Sequence, residues 1–267
     1  MVRALLVVVV AGLALVVLVR RLEPRLTFFP SRGEPTTPAA LGLAYEALDL
    51  RTADGETLRA WWLPAEAPRA TVLYLHGNGG NLSVWAPILA GVARRGYALL
   101  AVDYRGYGRS TGSPSERGLQ HDVDAVLAHL EARGAVARPL VFWGRSLGVP
   151  MAAYAASRRR PDGLVLESGF PDGRAVLGFG LLRVLSLVAS YRFDTVAHLR
   201  GVRVPVLVLH GDRDQVIPFA LGRTLYERLE EPKRFQAIPG GDHNDAAPPD
   251  PEAYWSAIRA FVDSVDR

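Results

Sequence analysis

Leu140-Val141-Phe142-Trp143-Gly144-Arg145-Ser146-Leu147-Gly148-Val149-Pro150-Met151 runs from a short apolar segment, past two glycines set around a serine, into a stretch of helical character. An apolar run this short reads as a buried strand, and residues 147–159 read as a helix. The chain must therefore turn sharply at the serine. A strand-to-helix turn of this kind lifts the serine hydroxyl out of the backbone, and small neighbours on either side keep it unobstructed. A Gly-x-Ser-x-Gly spacing also arises by chance in chains of this length. The flanking elements are what make Ser146 a candidate nucleophile.

A serine hydroxyl is a weak nucleophile until a histidine takes its proton and an acid orients that histidine. Working upstream, the apolar run 71–75 opens into His76-Gly77-Asn78-Gly79-Gly80-Asn81. A glycine-rich loop lets backbone N–H groups approach a developing oxyanion, and the donors expected here are the amides of Asn78 and Leu147. A phosphate-binding loop is the rival reading, but the Lys-Ser/Thr pair and the Gly-x-Gly-x-x-Gly spacing are both missing. Downstream, the run 204–209 ends in His210-Gly211-Asp212-Arg213-Asp214, which offers two aspartates as the acid. One of them is expected to cap the turn. The loop Pro239-Gly240-Gly241-Asp242-His243-Asn244-Asp245 follows the last predicted strand and supplies the base, His243, in the order serine, acid, histidine. His76 and His210 precede glycines at strand ends and read as backbone organisers. His121, His129 and His198 fall in helices or linkers. No histidine cluster has metal-ligand spacing, so neither metal nor cofactor is expected.

The elements around these motifs alternate. Residues 46–52 and 57–63 flank Asp54-Gly55 and read as an antiparallel hairpin. Strands are then expected at 71–75, 97–102, 140–143, 163–166, 204–209 and 235–238, with helices at 82–95, 116–133, 147–159, 220–229 and 251–265. Eight strands alternating with helices predict an α/β fold, a mostly parallel sheet covered on both faces. The interval 171–203 is long for a plain connection and holds an apolar, partly helical stretch at 176–188. It reads as a small cap, with an ordinary crossover as the alternative.

Residues 4–19 carry no charged or polar side chain and lie between Arg3 and Arg20-Arg21. The stretch approaches the roughly 20 residues that cross a bilayer, and it lacks a small-residue cleavage site at its end. An uncleaved membrane anchor over 1–21 is the preferred reading, ahead of a signal peptide. The flanking arginines favour a cytoplasmic catalytic domain. Residues 22–44, rich in Pro, Gly, Ser and Thr, read as a linker, and the catalytic domain is expected over 45–267.

Composition agrees with one folded domain. The 267 residues are 49% hydrophobic and 22% charged, as in globular proteins rather than disordered chains. The net charge of +4 comes almost wholly from arginines scattered along the chain, with Lys233 the sole lysine, which gives no nucleic-acid-binding stripe. There are no cysteines, so disulfides, thiolate metal sites and a cysteine nucleophile are excluded together.

With these motifs in place, residues 28–267 resemble the serine α/β-hydrolase superfamily, and within it the membrane-anchored, ABHD-type hydrolases. The resemblance is carried by His76 to Asn81, Asp103-Tyr104-Arg105-Gly106-Tyr107-Gly108-Arg109-Ser110, the Ser146 turn, and His210 to Pro218. It implies that the acid is Asp214, the second aspartate of a His-Gly-x-x-Asp pattern, and that the base is His243. It gives Arg105 a structural role. It implies cofactor-free hydrolysis of an acyl ester or thioester, with a small-molecule or lipid-like substrate. A peptidase on the same triad and a non-catalytic binding protein on the same scaffold are the alternatives. A protein lacking residues 1–21 is expected to be soluble and active in an ester assay; an insoluble or inactive product would show that the segment belongs to the fold.

Overall fold

The computed structural model describes residues 2–134, 139–178, 189–245 and 247–266. Helix α1 (Val2–Thr27) leads into β1 (Phe29–Pro30), a 3-10 turn at Pro38–Leu41, and the hairpin β2 (Glu46–Arg51) and β3 (Thr57–Leu63). There follow β4 (Thr71–Leu75), β5 (Gly79–Gly80), α2 (Leu82–Ala93), β6 (Ala98–Val102), α3 (Glu116–Arg133), β7 (Leu140–Arg145) and α4 (Gly148–Arg158). The chain continues through β8 (Gly163–Glu167), α5 (Gly173–Leu177), α6 (Thr195–Leu199), β9 (Val206–Gly211), α7 (Phe219–Arg228), β10 (Lys233–Ile238) and α8 (Pro251–Val265).

One eight-stranded sheet has the order β10-β9-β8-β7-β4-β6-β3-β2. The hairpin is antiparallel and β3 meets β6 antiparallel, while the remaining pairs are parallel. Successive side chains of a strand point to opposite faces, so an apolar run covered on both sides serves two cores. Leu73 and Leu75 of β4 join Phe142 of β7 and Leu166 of β8 against α3, α4 and α7. Val72, Tyr74, Val141 and Val165 join the other core, against α2 and α8. This is the mostly parallel sheet with helices on both faces that the alternation predicts.

The order also locates a crevice. From β4 the chain moves outward to β6, then returns across β4 to place β7 on its other side. In open α/β sheets, ligands bind beyond the carboxyl ends of the strands at such a reversal. Ser146 follows the carboxyl end of β7, and His76 to Asn78 follow that of β4.

Two boundaries differ from the sequence reading. Helix α1 extends to Thr27, and residues 28–44 pack onto the domain instead of forming a linker. Phe28 is buried, and β1 pairs in parallel with β5. The Asn81 side chain donates to the carbonyls of Ser31 and Gly33 at 3.2 and 3.0 Å, and Trp61 Nε1 donates to Glu34 at 2.8 Å. Proline and glycine signal irregular backbone, but such backbone still packs where side chains satisfy its polar groups. The interval 171–203 contributes α5, whose Val176 and Leu177 line the cavity that holds Ser146, and α6, which packs along α4. The helical stretch expected at 176–188 lies largely outside the described residues. Leu5–Thr27 of α1 form a stretch of 23 residues long and apolar enough to cross a membrane, and none of its apolar 18-residue window is buried.

Arg105, in the loop after β6, fastens the hairpin to α3. Its Nε donates to the fully buried Asp122 at 2.8 Å, and its terminal nitrogens donate to Asp54 at 2.7 and 3.0 Å. The hydrogen bonds from Arg105 hold the Asp54 carboxyl well below the usual carboxylate range. Removing one partner of a buried pair strands the other charge at a cost of about 3–5 kcal/mol. Arg105→Met is therefore expected to lower the unfolding free energy, extrapolated to water from urea denaturation, by about that amount, and an unchanged value would refute the structural role.

Candidate active site

The turn between β7 and α4 forces its residue types. Ser146 has a φ of +54°, a left-handed conformation that costs a non-glycine residue about 1–2 kcal/mol. The surroundings hold it there, because its amide donates to the Glu167 carbonyl at 2.9 Å and its carbonyl accepts from the Val149 amide at 2.9 Å. The two flanking glycines are needed for space. A Cβ on Gly148 would run into the Leu75 carbonyl, and one on Gly144 would run into the carbonyl of Gly148. Helix α4 can therefore start directly against the end of β4, with its first amides beside the serine.

Three side chains from three separate loops meet here. His243 Nε2 lies 3.0 Å from Ser146 Oγ, and His243 Nδ1 lies 2.8 Å from Asp214 Oδ2. Burial alone would raise the Asp214 carboxyl. Hydrogen bonds from His210 and His243 and from the Ile217 amide outweigh burial and hold it well below the usual carboxylate range. A charged Asp214 accepts the hydrogen bond of Nδ1–H, which fixes the proton on Nδ1, so Nε2 faces the serine hydroxyl as an acceptor. Asp212, the other aspartate, instead accepts from the Gly240 amide at 2.7 Å and shapes the turn. His210 is fully buried, and its Nε2 donates to the Ile217 carbonyl at 2.8 Å beside Asp214.

Asn78 and Leu147 lie beside Ser146 in one cavity of about 850 Å³. Among the described residues, neither of their amides is taken by a protein acceptor. The side chain of Asn78 does other work. It donates to the Thr27 carbonyl at 2.5 Å and accepts from the Phe29 amide at 3.3 Å and the Tyr107 hydroxyl at 2.8 Å, which pins the loop. The remaining lining is mostly apolar and includes Phe170, Val176, Leu177 and Phe193. No group of three or more acidic or histidine side chains stands ready to hold a metal ion among the described residues.

The sequence reading missed Arg145, the residue between Gly144 and Ser146. It is buried, and its guanidinium donates to the carbonyls of His243 and Asp245 at 2.9 and 3.0 Å. It also pairs with the buried Glu167 at 3.7 Å, which in turn accepts from Trp143 at 2.9 Å. The strand carrying the serine thus holds the loop carrying the histidine. A charge beside an otherwise apolar strand end was the available signal.

Comparison with known proteins bears on this arrangement. The family model described as serine aminopeptidase S33 matches residues 66–193. The α/β-hydrolase domain-containing protein WAV2 of Arabidopsis thaliana is 30% identical over 285 residues, covering 96% of this chain and 91% of WAV2. The chain belongs to the α/β-hydrolase superfamily. A further relative, an uncharacterized membrane protein of Saccharomyces cerevisiae, is 36% identical over 241 residues, covering 87% of this chain and 84% of the yeast protein. Among solved structures, the Pyrococcus furiosus esterase Pf2001 superposes with a TM-score of 0.73 at 20% identity, covering 90% of this hydrolase and 98% of the esterase. The esterase RhEst1 of Rhodococcus sp. gives 0.62 at 20% identity, covering 82% and 99%.

Arg145→Leu removes both donors to the histidine loop. A displacement of about 1 Å at a reacting group costs up to about 100-fold in rate, so kcat should fall by about 10–100-fold with KM changed much less. Arg145→Lys should recover part of the loss, and a kcat equal to the parent's in the leucine variant would refute the positioning role.

Proposed function

We propose that this α/β-hydrolase is a serine esterase that cleaves carboxylic esters or thioesters of acyl groups through an acyl-enzyme. The observation that carries the reading is the continuous hydrogen-bonded line Ser146–His243–Asp214 at the floor of an apolar cavity. His243 Nε2 takes the proton of Ser146 Oγ as that oxygen attacks the substrate carbonyl carbon. The amides of Leu147 and Asn78 receive the oxyanion, and the two-donor arrangement is worth several kcal/mol in the transition state. Collapse of the tetrahedral intermediate breaks the bond to the leaving group, which departs with the proton from His243. Water, deprotonated by the same histidine, then attacks the acyl-enzyme and releases the acid. Asp214 keeps Nδ1 protonated and stabilises the imidazolium.

The matching family is described by a peptidase name, so amide cleavage on the same residues is the competing reading. The cavity favours the ester. An aminopeptidase needs a free anionic group for the substrate's terminal amine. Of the two carboxylates that line the cavity, Glu23 is engaged by Ser190 and Tyr191, and Asp245 accepts the Asp242 amide at 2.8 Å. We read α1 as a membrane anchor for this domain, by its length and composition.

A fluorophosphonate probe is expected to label Ser146, and Ser146→Ala should abolish labelling and reduce p-nitrophenyl ester hydrolysis by at least about four orders of magnitude. Undiminished hydrolysis by the alanine variant would sink the assignment, and faster turnover of an aminoacyl p-nitroanilide than of any ester would favour the peptidase.

A further inference from the structure

One wall of the Ser146 cavity comes from α1, where Glu23, Leu26 and Thr27 line it. Glu23 is buried, although the helix around it is exposed. Its carboxylate accepts the amide hydrogens of Ser190 at 2.9 and 3.0 Å and of Tyr191 at 2.9 Å, together with the Ser190 hydroxyl. One turn later Phe28 packs on Tyr191 and Phe193, with ring centroids 5.6 and 6.1 Å away. Asn78 then holds Thr27 and Phe29 from the side of the serine. The end of α1 is thus fastened both to residues 190–193 and to the loop beside Ser146.

The exposed apolar side chains point to the same place. Outside α1, the large hydrophobic residues that stand exposed among the described residues are Phe29, Val84 and Val216, at 61%, 61% and 51%. All three line this cavity, as does the exposed Leu26. Soluble surfaces scatter such residues singly, and their convergence on one mouth marks a contact surface. The mouth adjoins the end of a helix long and apolar enough to cross a bilayer, and Arg20, Arg21 and Arg25 stand exposed on that end. Apolar side chains bordered by arginines match the boundary between acyl chains and anionic head groups.

We propose that the mouth formed by Leu26, Phe29, Val84 and Val216 docks on the bilayer, and that the acyl chain of a membrane-resident ester enters the cavity through it. The inference rests on the hydrolase reading of Ser146 and names the substrate class for that site. An acyl chain that passes from leaflet to cavity between apolar walls avoids water on the way. Each methylene left in water would slow entry about two- to fourfold. The head group stays at the surface beside the arginines, and the ester carbonyl comes to rest at Ser146 Oγ.

The test uses the full-length protein in vesicles of phosphatidylcholine containing about one-fifth phosphatidylserine, an anionic surface. Its kcat/KM is measured with p-nitrophenyl palmitate held in the bilayer and with water-soluble p-nitrophenyl butyrate. The palmitate-to-butyrate ratio should exceed one, and in a Phe29→Gln/Val84→Gln variant it should fall about tenfold or more. Because the chain has no cysteine, Val84→Cys carries a single environment-sensitive fluorophore. Nitroxide-bearing acyl chains should quench it, while leaving a label at the exposed Ser157→Cys on α4 bright. Butyrate hydrolysis with a ratio below one, an unmoved ratio in the double variant, or an unquenched label at residue 84 would each overturn the docking proposal while sparing the hydrolase. Hydrolysis of neither ester by the parent protein would overturn the hydrolase reading itself.

Discussion

The contact on which the site depends is the approach of Gly148 to the Leu75 carbonyl. Nothing larger than a hydrogen fits there, so α4 begins against the end of β4 and the chain must turn within the few residues between β7 and α4. That turn forces Ser146 into the left-handed region and exposes its hydroxyl in the crevice where the sheet reverses direction. The backbone strain is repaid by the ladder on either side, since β7 is buried between β4 and β8 along its whole length. Stability stored in the parallel core therefore maintains one unfavourable conformation at the position where a reactive oxygen is presented.

Charge plays a second part in the arrangement. Arg105, Arg145 and Glu23 are buried, and each joins segments distant in the chain. Arg105 ties the hairpin to α3, Arg145 ties the serine strand to the histidine loop, and Glu23 ties α1 to Ser190 and Tyr191. Each charge has several hydrogen-bond partners, which is the condition under which burial is tolerable.

Much of this was legible in the sequence. The hairpin 46–63, the strand at 71–75 and the helices at 116–133 and 251–265 were readable because their periodicity and their caps agree with their burial. Ser115 and Asp250 cap the two helices as their positions suggest. Of the site residues, Ser146 was readable from its spacing, while the choice between Asp212 and Asp214 depended on which of two adjacent turn residues faces inward. Periodicity carries no information on that. Arg145 and Glu23 escaped because long-range partners, 98 and 167 positions away, give them their roles. The segment 28–44 was misread for a related reason. Its composition describes a backbone without regular hydrogen bonds, and only the folded neighbours show that the side chains of Asn81 and Ser83 supply them.

The unbroken passage from α1 into Phe28 has a further consequence. A tethered enzyme with a loose leash searches a hemisphere of solvent above the membrane, and its orientation is lost between encounters. Here the helix ends in a residue sunk in the core, with no free residue between, so the domain inherits the tilt and azimuth of its helix. On the reading of α1 as an anchor, the search for substrate becomes lateral diffusion in a plane at fixed height. The relevant substrate concentration is then a mole fraction of lipid rather than a molarity.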